Sequence, residues 1–340
     1  MHKHLTSTWR EIVYPSGQNY FSRQSLYQQE KHIKKLLMII TILFLFTGCS
    51  GKKVYETAMN FGRYQSDLTL KRTTISNDLN ISYLENNIQS DETLILIHGF
   101  GANKDNWLNL ANKLNGNYHL IILDLIGDGE SSKPLDINYT IENQTKMLHE
   151  FLNTFKNKNF VLVGNSMGGQ IALNYTYHYK IDSLIVIDPM GIKVEDSFVD
   201  KLGRKKLEEM YLNVCTVEKM EKMMEIGFTK PPYVPNFILK YLTKEKCKVS
   251  KLDAHKYKGL YDDDLNLLED MTEKSKKINS PTLILWGKED KVISVKNAYA
   301  LNKYIKNSKL IIFDNLGHMP MLEDSELTAK SIIEFLSNTK

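Results

Sequence analysis

This sequence has few cysteines, no apolar run long enough for a membrane span, and no charge excess over most of its length. Only two of its three cysteines lie beyond residue 49, so the main part of the chain can hold at most one disulfide. Cys215 and Cys247 could form it or could both be free thiols. The longest apolar run, residues 36–46, is too short to cross a bilayer comfortably. The sequence shows no metal-ligand spacing, internal repeat or low-complexity tract, so it does not indicate a metal site or a repeat architecture.

The charge balance separates a leader from the rest of the chain. The whole sequence has 44 Lys and Arg against 40 Asp and Glu. The excess lies entirely in residues 1–48, and the remainder is balanced. A protein without a basic excess lacks the electrostatic footprint of nucleic-acid binding. We therefore expect no nucleic acid partner.

Residues 31–50 have the pattern of a bacterial export signal, because lysines precede the apolar run and small residues follow it. Residues 46–49, FTGC, resemble the lipobox of bacterial lipoproteins, in which the leader is removed and the cysteine is lipidated. We expect a lipid anchor on Cys49 and a location in the bacterial cell envelope, with the outer membrane favoured. An uncleaved N-terminal anchor is the alternative. Residues 1–30 are long for the front of a signal peptide, so we expect translation to start downstream of Met1.

The stretch at residues 159–170, NFVLVGNSMGGQ, combines a strand, a sharp turn and a helix. Apolar residues stop at Gly164, Ser166 stands at the apex, and helical spacing begins after Gly168. Glycine on both sides lets the helix approach the strand, so the serine hydroxyl projects from a strained turn beside a helix N-terminus. A glycine-rich turn without chemistry could show the same pattern. The rest of the chain must therefore decide between the two.

Other apolar runs predict further strands. Two alternating runs between residues 67 and 84 predict antiparallel edge strands, whereas fully apolar runs predict buried parallel strands. The predicted parallel strands cover residues 93–97, 119–123, 160–163, 183–187, 282–286 and 309–313, and the main helices residues 107–114, 141–155 and 323–337. This alternation indicates an α/β fold with a mostly parallel, doubly wound sheet. Chemistry in such sheets gathers at the carboxyl ends of the strands.

The alternation of strands and helices stops between residues 190 and 277. This segment has helical spacing, a KPPYVP interruption and no apolar strand, which predicts a helical cap over the strand ends. Its methionines are either core residues of small helices or an adaptable wall for an acyl chain; they are Met210, Met220, Met223 and Met224. The predicted organisation is a leader at 1–48, a tether at 49–65, a core at 66–189 and 278–340, and the cap at 190–277.

A serine that transfers acyl groups needs a base, a carboxylate that orients the base, and two donors for the oxyanion. Ser166 is the candidate nucleophile. His318 follows the last predicted strand and is the candidate base. Asp290 follows the preceding strand and is the candidate carboxylate, ahead of Glu289 and Asp314. The chain order serine, aspartate, histidine is that of the α/β-hydrolase arrangement.

Two backbone N–H groups, those of Phe100 and Met167, are the predicted donors of the oxyanion hole. The residues that shape the oxyanion loop and the nucleophile turn are His98, Gly99, Gly164 and Gly168. We expect His98 to be structural rather than a proton carrier.

From about residue 66 to the C-terminus, this sequence resembles the α/β-hydrolase superfamily. More narrowly, it resembles the Moraxella and Psychrobacter type of bacterial lipase and the membrane-associated monoacylglycerol lipases. The motifs are HGFGANKDNW, DLIGDGESSKP, GNSMGGQIA, TLILWGKEDKVI and DNLGHMPMLE, with KPPYVP in the cap. The resemblance implies hydrolysis of carboxylic esters, acylglycerols above all, through an acyl-enzyme and without a cofactor. The sequence departs from the pattern at Asp128, where an aromatic residue or histidine is commoner.

Two alternatives use the same residues differently. The triad could cleave a carbon–carbon bond, as in hydrolases of aromatic ring-cleavage products, although those enzymes have no reason to carry a lipid anchor. The chain could also be a lipoprotein that binds an acyl ligand without turning it over. Acyl-chain length and oligomeric state are not encoded in residue spacing.

Overall fold

The structure is a computed structural model that describes residues 50–156, 159–198, 200–203, 206 and 208–339, without the side chains of Met210 and Tyr211. The leader and the predicted lipidation site, Cys49, lie outside the described residues. Within the described part of the chain, no helix is both long enough and apolar enough to cross a membrane.

An eight-stranded sheet forms the centre of the described chain, in the order β1-β2-β4-β3-β5-β6-β7-β8. The strands are β1 Thr69–Thr74, β2 Asn80–Glu85, β3 Thr93–Ile97, β4 His119–Leu123, β5 Phe160–Asn165, β6 Ser183–Ile187, β7 Thr282–Gly287 and β8 Ser308–Phe313. β2 pairs antiparallel with both β1 and β4, and every other pairing is parallel. The predicted α/β class and mostly parallel sheet are confirmed.

The central strands are apolar throughout because both faces of the sheet are covered. In β3, Ile95 and Ile97 enter one hydrophobic cluster, while Leu94 and Leu96 enter the other. All four side chains are fully buried. A strand buried on both faces has no need of polar alternation, which is why the sequence shows continuous apolar runs here.

Helices cover both faces and fill the segment between β6 and β7. They are α1 Gly51–Gln65, α2 Leu108–Leu114, α3 Ile141–Asn153, α4 Met167–His178, α5 Val217–Gly227, α6 Asn236–Lys248, α7 Ser250–Tyr257, α8 Thr272–Ser275, α9 Lys296–Tyr304, α10 Pro320–Glu323 and α11 Ser325–Ser337. A short 3₁₀ turn, Lys104–Trp107, precedes α2. The predicted C-terminal helix, residues 323–337, corresponds to α11, which begins two residues later because the Asp324 side chain caps it. The short helix α10 before it was not predicted.

Helix α1 occupies most of the stretch predicted as a tether. None of its residues is buried, yet it contacts two parts of the fold. The Tyr55 ring lies 5.7 Å from that of Tyr241 in α6. Arg63 makes a bidentate ion pair with Asp105, with Nε–Oδ1 and Nη2–Oδ2 distances of 2.8 and 2.6 Å. The helix therefore bridges α6 and the turn before α2.

The segment at residues 190–277, here called the helical insertion, contains α5 to α8 and no strand among its described residues. Its small apolar cluster is built on buried Met220, with Met223 and Met224 packed against it. This packing favours the core interpretation for these three methionines. A disulfide joins Cys215 to Cys247, which settles the alternative that the sequence left open.

Candidate active site

Ser166 lies between β5 and α4 in a strained backbone conformation. Its φ of 54° and ψ of −121° lie outside the ordinary regions for a side-chain-bearing residue. Its N–H donates to the carbonyl of Ile187, 3.0 Å away, so the turn is tied to the end of β6. A Cβ on Gly164 would lie 2.3 Å from the Gly168 carbonyl oxygen, and one on Gly168 would lie 2.3 Å from that of Ile97. Only glycine permits α4 to start this close to the sheet.

His318 and Asp290 form a direct pair at the ends of β8 and β7. The His318 Nδ1 lies 2.8 Å from the Asp290 Oδ2. The other carboxylate oxygen of Asp290 accepts from the N–H groups of Val292 and Ile293, at 2.7 and 3.0 Å. The Asp290 side chain is fully buried, and that of His318 is 10% exposed. The backbone bonds fix the carboxylate, which in turn orients the imidazole with Nδ1 as donor.

The nucleophile turn and the histidine loop are in direct contact. The Asn165 side-chain amide donates both to the Ile187 carbonyl, at 3.0 Å, and to the His318 carbonyl, at 3.2 Å. The residue before Ser166 therefore holds the histidine loop against the end of β6. The described residues include no hydrogen bond between the Ser166 hydroxyl and the His318 ring, so that contact remains a prediction.

The two rival carboxylates lie elsewhere. Asp314 has a 72% exposed side chain and pairs with Lys288 at 2.7 Å. Glu289 is exposed. Neither makes the hydrogen bond to His318 that Asp290 makes.

His98 shapes the loop after β3 through both ring nitrogens. Its Nε2 accepts from the Leu125 N–H at 3.0 Å, which makes Nδ1 the protonated nitrogen, and Nδ1 donates to the Gly99 carbonyl at 2.8 Å. Neither nitrogen is left for a substrate. A Cβ on Gly99 would lie 3.0 Å from the Ser166 Cβ, so this loop reaches the nucleophile.

The two backbone N–H groups predicted as oxyanion donors are available to a ligand. Among the hydrogen bonds of the described residues, none uses the N–H of Phe100 or Met167 as donor. Met167 is the first residue of α4, where a backbone N–H has no partner within the helix. An anion placed near Ser166 could therefore accept from both groups without displacing another acceptor.

Asp128, the residue that departs from the family pattern, has a partner in the helical insertion. Lys256 of α7 makes buried ion pairs with Asp128 at 2.5 Å and with Asp253 at 2.9 Å. Burial lowers the pKa of Lys256, but the two carboxylates outweigh it and raise that pKa above its ordinary value. An aspartate at position 128 thus couples the turn after β4 to the insertion.

Sequence reasoning missed Glu323, which connects the histidine loop to the helical insertion. Its two carboxylate oxygens accept from the N–H groups of Gly317 and Thr229, both at 2.8 Å. The His318 N–H donates to the carbonyl of Gly227 at 3.1 Å. The position of His318 thus depends on the insertion as well as on the sheet. No spacing in the sequence signals these contacts.

Sequence reasoning also missed Asp188, which follows β6 directly. It is fully buried, and its Oδ1 accepts from the Gly287 N–H at 2.8 Å. Burial and the neighbouring charge of Asp290 raise its pKa well above the ordinary value of 3.8. The sequence did offer one signal for this residue. Asp188 lies at the carboxyl end of β6, the strand beside β5, which precedes Ser166.

Comparison with known proteins agrees with this architecture. The sequence pattern of the alpha/beta hydrolase fold family matches residues 92–206 and 231–325. Lipase 1 of Psychrobacter immobilis is 32% identical over 314 residues, covering 90% of this chain and 98% of that protein. A human monoacylglycerol lipase is 34% identical over 265 residues, covering 72% and 75%. The crystal structure of a bacterial membrane phospholipase A superposes with a TM-score of 0.80 at 29% identity, covering 91% and 99%.

Proposed function

This chain belongs to the alpha/beta hydrolase family, and from that premise we propose that it cleaves carboxylic esters with a triad of Ser166, His318 and Asp290. One observation carries the assignment of the triad. It is the 2.8 Å hydrogen bond between His318 and buried Asp290, at the sheet edge where Ser166 holds its strained turn.

In this mechanism the Ser166 oxygen attacks the ester carbonyl carbon while His318 accepts the hydroxyl proton. The negative charge that develops on the carbonyl oxygen is stabilised by the N–H groups of Phe100 and Met167. His318 then donates its proton to the departing alcohol, which leaves an acyl-enzyme. Water deprotonated by His318 releases the acid. Asp290 stays ionised and stabilises the imidazolium.

The proposed substrates are lipid esters, with acylglycerols first. The support comes from the relatives, which include a lipase and a monoacylglycerol lipase at 32% and 34% identity. The helical insertion lies against the histidine loop through Glu323, so we propose that it acts as a cap over the strand ends.

We further propose that the protein is held at a bacterial membrane through Cys49, in the outer membrane by preference. The described chain enters at α1, where a Cβ on Gly51 would lie 2.4 Å from the Phe237 carbonyl oxygen. Phe237 is 45% exposed, and Tyr233, four residues before it in the sequence, is 91% exposed. Exposed lysines follow Gly51 and flank the two aromatic residues in the sequence, namely Lys52 and Lys53, and Lys230 and Lys240. Aromatic and basic side chains of this kind suit an anionic membrane surface.

A hydrolysis panel tests the catalytic proposal. The purified protein is assayed on para-nitrophenyl esters of two to sixteen carbons, on monoacyl- and triacylglycerols, and on a coloured ring-cleavage dienoate. We expect turnover of long esters and acylglycerols, and a loss of about 10⁴- to 10⁶-fold in Ser166→Ala. Ser337→Ala, at the exposed end of α11, is the matched control.

Undiminished ester hydrolysis by Ser166→Ala would refute the triad. Turnover of the dienoate alone would establish the carbon–carbon alternative. Failure of a fluorophosphonate to label the folded wild-type protein would favour a binding lipoprotein.

A further inference from the structure

Asp188 lies beside the catalytic pair without a role in the mechanism described so far. Oxygen atoms of Asp188 and Asp290 and a ring nitrogen of His318 all lie within 4.8 Å of one another. The Asp188 Oδ1 accepts from the Gly287 N–H. Its Oδ2 is buried and has no donor among the described residues. A buried carboxylate oxygen without a donor is costly, so this atom requires an explanation.

Carboxylate oxygens of Asp188 and Asp290 lie within 4.8 Å of one another in this cluster. Two ionised carboxylates are both acceptors, so a hydrogen bond between them forms only when one of them carries a proton. Asp290 is the less suitable carrier. Its oxygens already accept from His318 and from two backbone N–H groups, so a proton on either oxygen would face another donor.

A metal ion could also bridge such a cluster, but the distances favour a proton. The His318 Nδ1 and Asp290 Oδ2 lie 2.8 Å apart, a direct hydrogen-bond distance. Two ligands of one tetrahedral ion, each at about 2.0–2.2 Å from the metal, would lie roughly 3.3 Å or more from one another. Nδ1 would also have to give up its proton to bind the ion.

We propose that Asp188 is a positioning residue of the active site, whose protonated carboxyl donates a hydrogen bond to Asp290 and fixes it against His318. This inference rests on the proposed role of Asp290 in the triad. The proton lies on Asp188 Oδ2, the pair carries one negative charge, and Asp290 keeps that charge for the imidazolium. The charge of Glu323 also favours the neutral form of Asp188, and His318 is the third member of the same cluster.

Infrared spectroscopy of the full chain tests the protonation directly. At pH 7 to 8 we expect the carbonyl stretch of one protonated, buried carboxyl group in the wild-type protein. Asp188→Asn should remove this band. Asn fits here because residue 188 has a φ of 46°, which Asn adopts more readily than most residues. Asp182→Asn, at the opposite end of β6, is the control and should leave the band in place.

Absence of the band in the wild-type protein would overturn the proposal without requiring any variant to fold. So would its persistence in Asp188→Asn. Neither reading depends on activity, so a failure of the ester-hydrolase proposal would be recognised separately by the Ser166→Ala assay.

Kinetics test the positioning role. Asp188→Asn retains a donor in the side-chain amide, and we expect its kcat to stay within a few-fold of wild type. Asp188→Gly removes the donor without backbone strain, and we expect kcat to fall about ten- to a hundredfold with KM nearly unchanged, because the orientation of His318 is lost rather than substrate contact. An equal loss of kcat in the two variants would contradict the assignment.

Discussion

The strand ends and the helical insertion use buried carboxyl groups in opposite ways. Asp188, at the end of β6, lies beside another carboxylate, and burial together with Asp290 raises its pKa. Asp253, in the insertion, is also buried, and burial alone would raise its pKa. Lys246 and Lys256 outweigh that effect and lower it. The strand ends therefore hold a carboxyl group whose surroundings favour the protonated form, whereas the insertion holds one whose surroundings favour the ionised form.

This difference determines how each region responds to pH. A carboxyl with a raised pKa in the folded state contributes stability that is lost as pH rises from its ordinary value through the raised one. A carboxyl with a lowered pKa contributes stability that is lost as pH falls through the lowered value. A rise in pH above the ordinary carboxyl pKa should therefore weaken the strand ends around Asp188, and a fall in pH should weaken the insertion around Asp253.

The largest expected effect comes from breaking the ion pairs of the insertion. Lys256→Met leaves the buried carboxylates of Asp128 and Asp253 without their shared cation. We expect a loss of about 3–5 kcal/mol in the free energy of unfolding, measured by chemical denaturation. Lys222→Met is the matched control, because its pair with Glu218 is exposed and should contribute little to stability. Equal losses in both variants would show that burial does not distinguish the two pairs.

A smaller effect is expected from the disulfide, which lies wholly within the insertion. Cys215 and Cys247 are separated by 32 residues, and closing a loop of this size stabilises a fold by about 2–4 kcal/mol. We expect the Cys215→Ser, Cys247→Ser double variant to lose that amount and to be cleaved by protease first within residues 190–277. First cleavage in the core strands would contradict this expectation.

The smallest effect, counted over one pH unit, is a difference in slope at the strand ends. The proton proposed on Asp188 is one that the unfolded chain releases above the ordinary pKa of 3.8. Stability should therefore fall with rising pH, relative to Asp188→Asn, by about 1.4 kcal/mol per pH unit within that window. Denaturation at several pH values measures the difference. Burial and Glu92 also raise the pKa of Asp182, but Asp182 is exposed, so Asp182→Asn should change the slope over a narrower pH range. Parallel curves for wild type and Asp188→Asn would refute the raised pKa.

The sequence predicted the sheet well because the central strands depend on local composition. The bounds of β3, β4 and β6 equal those predicted, since a fully apolar run between turn residues suffices to define a doubly covered strand. Ser166, Asp290 and His318 were identified from turns that follow such strands. The structure places His318 and Asp290 in contact; their catalytic roles remain predictions.

What the sequence could not predict depends on contacts between distant residues. Helix α1 has no buried residue and is held by Tyr241 and Asp105, so its own pattern gave no clear signal. The same holds for the Cys215–Cys247 pairing. The sequence shows Asp188 directly after a predicted strand, but its burial beside Asp290 arises only when β6 and β7 pair.

The entry of the chain at Gly51 has a consequence for how substrate would be found. Gly51 is packed against the backbone of Phe237, and only Ser50 separates it from Cys49. An extended residue spans about 3.5 Å, so the single residue Ser50 would keep Gly51 close to a lipid on Cys49. Such an enzyme would stay close to the bilayer surface. It would therefore collect esters by lateral diffusion in two dimensions rather than from solution.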